Sequence, residues 1–183
     1  MMRQKLLKHI LTSDNIEASI RENLKLLIVI VPEMRGMINI DGNQTKASAE
    51  LWEQTLLALK NSPNDFETRL AILLHNIGKP HYLEKINQSP KFTIASAEIT
   101  QKALKELKFA DDFIEKVSAI IKGYDKQITI DTIKDNPELA SKILEIQKSL
   151  VMASSTDNES IDIQYITYTQ QMIDEYNQTL QSN

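Results

Sequence analysis

The sequence predicts an all-α fold, because its apolar residues follow helical spacing and turn-forming residues are scarce. Apolar residues recur three and four positions apart along most of the 183-residue chain, and the alternation typical of β-strands is nearly absent. Only 4 glycines and 5 prolines interrupt the pattern. At this length we expect one domain over residues 1–183, with N-terminal helices and a loop (1–46), a core (47–128) and C-terminal helices (129–183).

The first half of the chain is predicted to contain three helices. The stretch DNIE at 14–17 has the pattern of a capping box and opens a helix that Pro32 ends. Glycine, asparagine and aspartate indicate a loop over 36–44, and apolar spacing resumes over 47–60. A second capping box, NDFE at 64–67, opens a helix that is apolar nearly all round. We therefore expect this third helix to be the buried central one.

The second half of the chain begins with a proline-containing loop and continues with four predicted helices. The loop runs from Gly78 to Pro90, and the helices are expected at 93–107, 111–122, 137–154 and 163–180. Pro137 behind Asn136 suits a first helical position. The last helix reads as a solvated amphipathic element that covers the core, and the residues around His9 read as a frayed turn.

Composition excludes several classes of function. The net charge is −4, with 25 acidic against 21 basic residues and no basic stripe, which argues against binding to nucleic acid. The chain contains no cysteine, so disulfides, thiolate metal sites and cysteine nucleophiles are excluded. The most apolar run, 24–31, contains a lysine and is too short to span a bilayer. The pattern of the N-terminal residues is not the one expected of a signal peptide. We expect a cytoplasmic protein without a membrane partner.

The stretch ILLHNIGKP at 72–80 is the most unusual in the chain, because His75 and Asn76 end an apolar helix. Taken alone, a histidine on an apolar helix is better explained as a hydrogen-bonded core residue than as a metal ligand. Gly78 is expected to adopt the positive φ common at helix C-termini. Lys79 follows at the mouth of any pocket there, where its ammonium would suit a phosphate.

Four segments in order along the chain extend this observation: WEQT (52–55), LLHNIGK (73–79), FTIASAE (92–98) and GYD (123–125). Together they resemble the HD-domain superfamily of metal-dependent phosphohydrolases. They are particularly similar to the HD-bearing C-terminal part of bacterial tRNA nucleotidyltransferases. The resemblance runs from about Leu24 to Asp157 and implies an HD-like helical bundle, without the nucleotide-polymerising head of those enzymes.

The resemblance also implies a set of metal-ligand positions, most of which have changed here. In the family these segments supply a histidine, a His-Asp pair, another histidine and a closing aspartate. Only His75 and Asp125 are kept as candidate metal ligands, since Gln54, Asn76 and Phe92 stand at the other positions. A catalytic metal site usually has about three protein ligands. We therefore expect no tightly bound cofactor, with weakly held Mg²⁺ or Mn²⁺ as the alternative.

Three functional hypotheses follow from the resemblance. The first is a catalytically degenerate HD-domain protein that binds or scaffolds and keeps a nucleotide or phosphate pocket, with Lys79 as the phosphate contact. The second is a working phosphohydrolase, in which amide oxygens of Gln54 and Asn76 help to hold Mg²⁺ or Mn²⁺. The third is the stand-alone body of a tRNA nucleotidyltransferase-like system, against which the overall acidity counts. The expected partner is a small phosphorylated ligand or a protein, and the oligomeric state is not predicted.

Structural roles are also expected for several of these residues. Trp52, the only tryptophan, is predicted to anchor the core, and Phe92 to fill the space of a former ligand. Gln54 is predicted to hydrogen-bond His75 across a helix pair. Asp125 is predicted to cap the segment that follows it.

Overall fold

The computed structural model describes residues 2–38, 46–79, 92–154 and 159–182. All regular secondary structure within these ranges is helical, which confirms the predicted all-α class. A 3-10 turn at Pro32–Gly36 accompanies the helices. In chain order the helices are α1 (Met2–Leu11), α2 (Ile16–Glu22), α3 (Leu24–Ile30), α4 (Lys46–Asn61), α5 (Phe66–Leu74), α6 (Phe92–Glu106), α7 (Asp111–Gly123), α8 (Ile130–Asp135), α9 (Pro137–Val151) and α10 (Glu159–Gln181).

Helix α5 occupies the centre of the bundle, as predicted. Every side chain from Thr68 to Leu74 is buried, and the helix packs against α1, α4, α7 and α9. The Asp65 carboxylate caps its N-terminus, accepting hydrogen bonds from the Thr68 backbone N–H at 2.9 Å and hydroxyl at 2.7 Å. Asp65 also forms an ion pair of 2.6 Å with Lys142 of α9. Although burial raises the pKa of Asp65, these bonds outweigh it and leave the pKa lowered.

Helices α6 and α7 pack along each other, and the turn that joins them contains no glycine or proline. The Phe109 N–H bonds the Leu104 carbonyl at 3.1 Å, and the Lys108 N–H bonds the Lys105 carbonyl at 2.9 Å. This is a Schellman C-cap, and it places Lys108 at φ 63°, where glycine is usual. Beyond the turn, the Phe109 and Phe113 rings stack at 4.8 Å, and Phe66 of α5 stacks on Phe113 at 5.5 Å.

The single helix predicted between residue 14 and Pro32 is two helices, α2 and α3. They meet at Asn23, which has non-helical φ −102° and ψ 15°. Its side-chain amide donates to the Ser19 carbonyl at 2.9 Å, and this bond competes with the backbone hydrogen bonds of a continuous helix. The N-cap of α2 is Asn15, whose Oδ1 accepts from the Ala18 N–H at 3.3 Å.

Two helices, α1 and α8, were not predicted from the sequence. The expectation of a frayed N-terminal turn is wrong, because α1 buries Leu7, Ile10 and Leu11 in the core. These residues are three and four positions apart, which was the available signal. The N-cap of α8 is Thr129 rather than Asp125, and its hydroxyl accepts from the Thr132 N–H at 3.3 Å.

The other predicted helices are confirmed to within a few residues at each end. Asn136 caps α9, with its Oδ1 accepting from the Leu139 N–H at 3.0 Å, and Pro137 is the first helical residue. Trp52 is 7 % exposed and belongs to the core, as expected of an anchor. Most of the predicted loops at 36–44 and 78–90 lie outside the described residues. Among the helices that the structure describes, none has the length and apolar character needed to cross a bilayer.

A buried arginine joins the first helix to the central one. Arg69 in α5 is 4 % exposed. Its Nη1 donates to the carbonyls of Leu11 at 2.8 Å and Ser13 at 2.9 Å, and to the Asn64 side chain at 2.9 Å. Its Nε donates to the Ser62 hydroxyl at 3.3 Å. One guanidinium from the core therefore satisfies the last carbonyl of α1 and the Ser13 carbonyl just beyond it.

We expect Arg69→Met to lower the free energy of unfolding by about 3 kcal/mol, because it removes the donor to several partly buried oxygens. Urea denaturation followed by circular dichroism measures the change. Arg21→Met is the control, since Arg21 is about half exposed and its ion pairs with Glu17 and Glu53 lie at the surface. In the control, the free energy of unfolding should fall by less than about 1 kcal/mol. Equal losses in the two variants would contradict this role of Arg69.

Candidate functional site

Residues 75–79 form the turn that ends α5, and we call them the His75 corner. The Ile77 N–H bonds the Leu74 carbonyl at 3.1 Å, and the Lys79 N–H bonds the Asn76 carbonyl at 2.9 Å. Helix α5 therefore ends in tight turns instead of fraying. The corner lies between the start of α6 and the end of α7, because the Gly78 N–H meets Ser96 and the His75 ring meets Tyr124.

The His75 imidazole is enclosed and neutral. It is 3 % exposed, and its Nδ1 lies 2.6 Å from the Ile72 carbonyl oxygen. Because a carbonyl only accepts, Nδ1 must carry the proton. The ring meets Tyr124 edge to face, with centroids 5.1 Å apart and planes at 87°. Burial lowers the pKa of His75 to about 4; the bond to Ile72 opposes this shift and the charge of Lys79 reinforces it.

Gly78 is required by a close approach of two backbones. Its N–H donates to the buried Ser96 hydroxyl of α6 at 3.0 Å. A Cβ on Gly78 would lie 2.7 Å from the Ser96 backbone nitrogen and 3.1 Å from the Ala95 carbonyl carbon. The positive φ predicted for Gly78 is wrong, since its φ lies outside the left-handed region. Because glycine has no side chain, the backbone of α6 can pass directly against the corner.

Asn76 places a neutral amide in the core. The residue is 2 % exposed, and its Oδ1 is buried without a hydrogen-bond partner among the described residues. Leaving such an acceptor unpaired costs about 1–3 kcal/mol. An ionised carboxylate in the same surroundings would cost more. The corner therefore suits asparagine better than the aspartate that a metal site would use.

Lys79 is the cation of the corner, and its neighbour is an aromatic ring. Its Nζ lies 4.9 Å from the centre of the Phe92 ring, and Phe92 in turn meets Tyr124 at 6.4 Å. Burial lowers the pKa of Lys79. Within the described parts of the chain, no carboxylate forms an ion pair with it. A half-buried ammonium in these surroundings favours an anionic ligand.

The other two candidate positions lie at the surface. Gln54 is exposed, and it lines an open cleft on α4 together with Glu17 and Glu53. The hydrogen bond predicted between Gln54 and His75 is not formed between these two described side chains. Asp125 is exposed just beyond α7. Burial raises the pKa of the neighbouring Tyr124, and the negative charge of Asp125 adds to that shift.

The donor set does not fit the divalent metal that the HD resemblance implies. In the described ranges, no group of three or more histidine, aspartate or glutamate side chains is placed to hold an ion. Of the two retained ligands, His75 is buried beneath the Tyr124 ring and Asp125 faces solvent. The amides of Gln54 and Asn76 add no negative charge. The structure brings together His75, Asn76 and Lys79, with Phe92 and Tyr124 as their aromatic neighbours.

Tyr124 is the residue of this site that sequence reasoning missed. Its ring covers His75, and it also lines a cleft of about 390 Å³ between the end of α7, α9 and α10. The Gln147 amide donates to the carbonyls of Tyr124 at 3.1 Å and Lys126 at 2.8 Å, which fixes this segment. The Tyr165 hydroxyl accepts from the Ile128 N–H at 2.8 Å. The only sequence signal was the position of Tyr124 between Gly123 and Asp125.

Comparisons with known proteins add no family to this description. No protein-family model matches the chain. No curated protein matches it either. The HD-domain resemblance therefore stays a prediction that rests on the four segments and their order.

We expect the imidazole of His75 to titrate with a midpoint near pH 4, as the Nδ1–H tautomer, in ¹⁵N NMR spectra. The unfolded chain binds more protons between about pH 6.5 and 4, so stability falls by about 3 kcal/mol as the pH drops through that range. His75→Asn keeps an amide donor but cannot titrate, so the free energy of unfolding should change little between about pH 6.5 and 5. Most carboxylates titrate below that range. A midpoint near the ordinary histidine value would contradict the enclosed ring.

We expect Gly78→Ala to lower the free energy of unfolding by about 2 kcal/mol, since the added methyl group meets the α6 backbone. Chemical denaturation measures the loss. Gly123→Ala is the matched control, because its Cβ would meet Cδ1 of Ile143, the far end of a flexible side chain. We expect it to change stability by less than about 1 kcal/mol. A smaller loss at Gly78 than at Gly123 would show that α6 does not constrain the corner.

Proposed function

We propose that this chain is a non-hydrolytic binding or scaffolding module of HD-like architecture, with a pocket at the His75 corner for a small phosphorylated ligand such as a nucleotide. The observation that carries the proposal is the enclosure of His75. Its ring packs against Tyr124, its Nδ1 proton is bonded to the Ile72 carbonyl, and burial keeps it neutral. A ring that is 3 % exposed and covered by Tyr124 supports the end of α5 and leaves little surface for a metal.

The separation of the ligand positions also favours a non-hydrolytic role. A metal that activates water usually has about three protein ligands, or for Mg²⁺ one or two carboxylates, with some negative charge among them. Gln54 and Asp125 face solvent, whereas His75 and Asn76 are buried. Bringing these four side chains around one ion would require α4 and the segment after α7 to repack.

The phosphate part of the proposal rests on Lys79. Its ammonium is half-buried, and desolvation lowers its pKa in the absence of an ion pair with a described carboxylate. A phosphate beside Nζ would stabilise the charged form and return the pKa towards its ordinary value. The Phe92 ring, at 4.9 Å from Nζ, adds an aromatic wall to the same place. An ammonium and a ring together suit a ligand with phosphate and a planar base.

We expect adenosine and guanosine monophosphates to bind the wild-type chain, with about tenfold weaker binding in Lys79→Gln because one charged contact is lost. Isothermal titration calorimetry measures the dissociation constants. Lys102→Gln removes an exposed lysine on α6 and should leave them unchanged. Binding that is insensitive to Lys79, or no binding of any nucleotide, would refute the phosphate pocket.

A hydrolysis assay tests the non-hydrolytic part separately. Nucleoside mono-, di- and triphosphates are incubated with Mg²⁺ or Mn²⁺, and phosphate release is measured. We expect no turnover above background. Turnover that disappears in Asp125→Asn, an exposed substitution that spares the core, would establish the phosphohydrolase hypothesis instead.

A further inference from the structure

A cleft far along α7 from the His75 corner lies between α5, α7 and α9. It has a volume of about 300 Å³, at the lower end of the usual range for binding pockets. Ala119 and Leu139, which are partly exposed, give it an apolar surface above the buried Ile120, and carboxylates surround them. We call it the α7 cleft. The carboxylates of its lining are Glu67, Asp112, Glu115 and Glu138.

The two lysines in the lining are held by ion pairs that span the cleft. Lys116 of α7 pairs with Glu138 of α9 at 3.2 Å. Lys142 of α9 pairs with Glu67 of α5 at 3.5 Å, and also with the capping carboxylate of Asp65. Four carboxylates thus face two ammonium groups, which leaves an excess of negative charge.

Asp112 and Glu115 carry this excess. Neither forms an ion pair with a described residue, and both are exposed. They are three positions apart on α7, so their side chains are neighbours on one face. Ala119 continues that face one turn further, beside the apolar Ile120. A stripe of negative charge therefore leads directly onto apolar surface.

The surroundings of Lys116 indicate that this place favours a positive charge. Lys116 is about half exposed, yet its pKa is raised, first by the hydrogen bond to Glu138 and then by the charges of Glu138, Glu67 and Asp112. Carboxylates from three helices thus act on one ammonium group. The same field is available to the side chain of a partner.

We propose that the α7 cleft docks a basic segment of a partner protein, in which lysine or arginine side chains flank an apolar residue. The basic side chains meet Asp112 and Glu115, and the apolar side chain covers Ala119 and Leu139, which are partly exposed. A free polyamine would satisfy the carboxylates and leave the apolar surface uncovered. The proposal is independent of the nucleotide pocket, since the two sites share no residue.

The test uses a fluorescent peptide, acetyl-Lys-Leu-Arg-Leu-Lys-amide, and measures its binding by anisotropy at low ionic strength. We expect Asp112→Asn with Glu115→Gln to weaken binding about tenfold, as two exposed charge pairs are lost. Lys116→Gln should strengthen binding about threefold, because it removes a competing cation and frees Glu138. The matched control is Glu22→Gln with Glu175→Gln, which removes two exposed carboxylates on α2 and α10. This control should bind the peptide as tightly as the wild-type chain.

Two further probes separate docking of a segment from attraction of any cation. Replacing both leucines of the peptide by asparagine should weaken binding, and spermidine should bind more weakly than the leucine peptide. NMR shift changes on addition of the peptide should fall on α7 and α9. The proposal is overturned if the peptide does not bind, if the Asp112/Glu115 variant binds it equally well, or if spermidine and the asparagine peptide bind as tightly.

Discussion

A helix buried on every side must have the polar groups at both of its ends satisfied by other parts of the protein, and α5 imposes this constraint here. At its N-terminus the Asp65 carboxylate accepts from Thr68 and holds Lys142 of α9. At its C-terminus the His75 ring donates to the Ile72 carbonyl, and Gly78 donates to Ser96 of α6. Two other helices, α9 and α6, are thereby positioned by the ends of α5.

This constraint gives His75 and Asn76 a role that does not depend on catalysis. The imidazole closes the helix and supports Tyr124, while the neutral amide of Asn76 adds no negative charge to the buried turn. A negative charge in this place would require a metal or a cation to offset its desolvation, and Lys79 points towards Phe92 instead. A histidine at a helix end can therefore serve the structure without acting as a metal ligand.

Helix α7 connects two surfaces of opposite charge. Tyr124, just after its C-terminus, covers His75 beside the cationic Lys79, and its N-terminal turns carry Asp112 and Glu115. At about 1.5 Å rise per residue, Asp112 and Tyr124 are about 18 Å apart along the helix. An anionic ligand at one end and a basic segment at the other would thus contact a single rigid element without competing for the same site.

The sequence by itself determined the helical class, the burial of α5 and the start of α9, because apolar spacing and caps such as Asp65 and Asn136 act between near neighbours. It also gave the positions of α4 to α7, α9 and α10 to within a few residues. Only the tertiary structure decided that Gln54 faces solvent, that Gly78 meets Ser96 and that the α7 cleft exists. These features depend on contacts between helices distant along the chain, and a local pattern carries no information about which side of a helix a distant neighbour will cover.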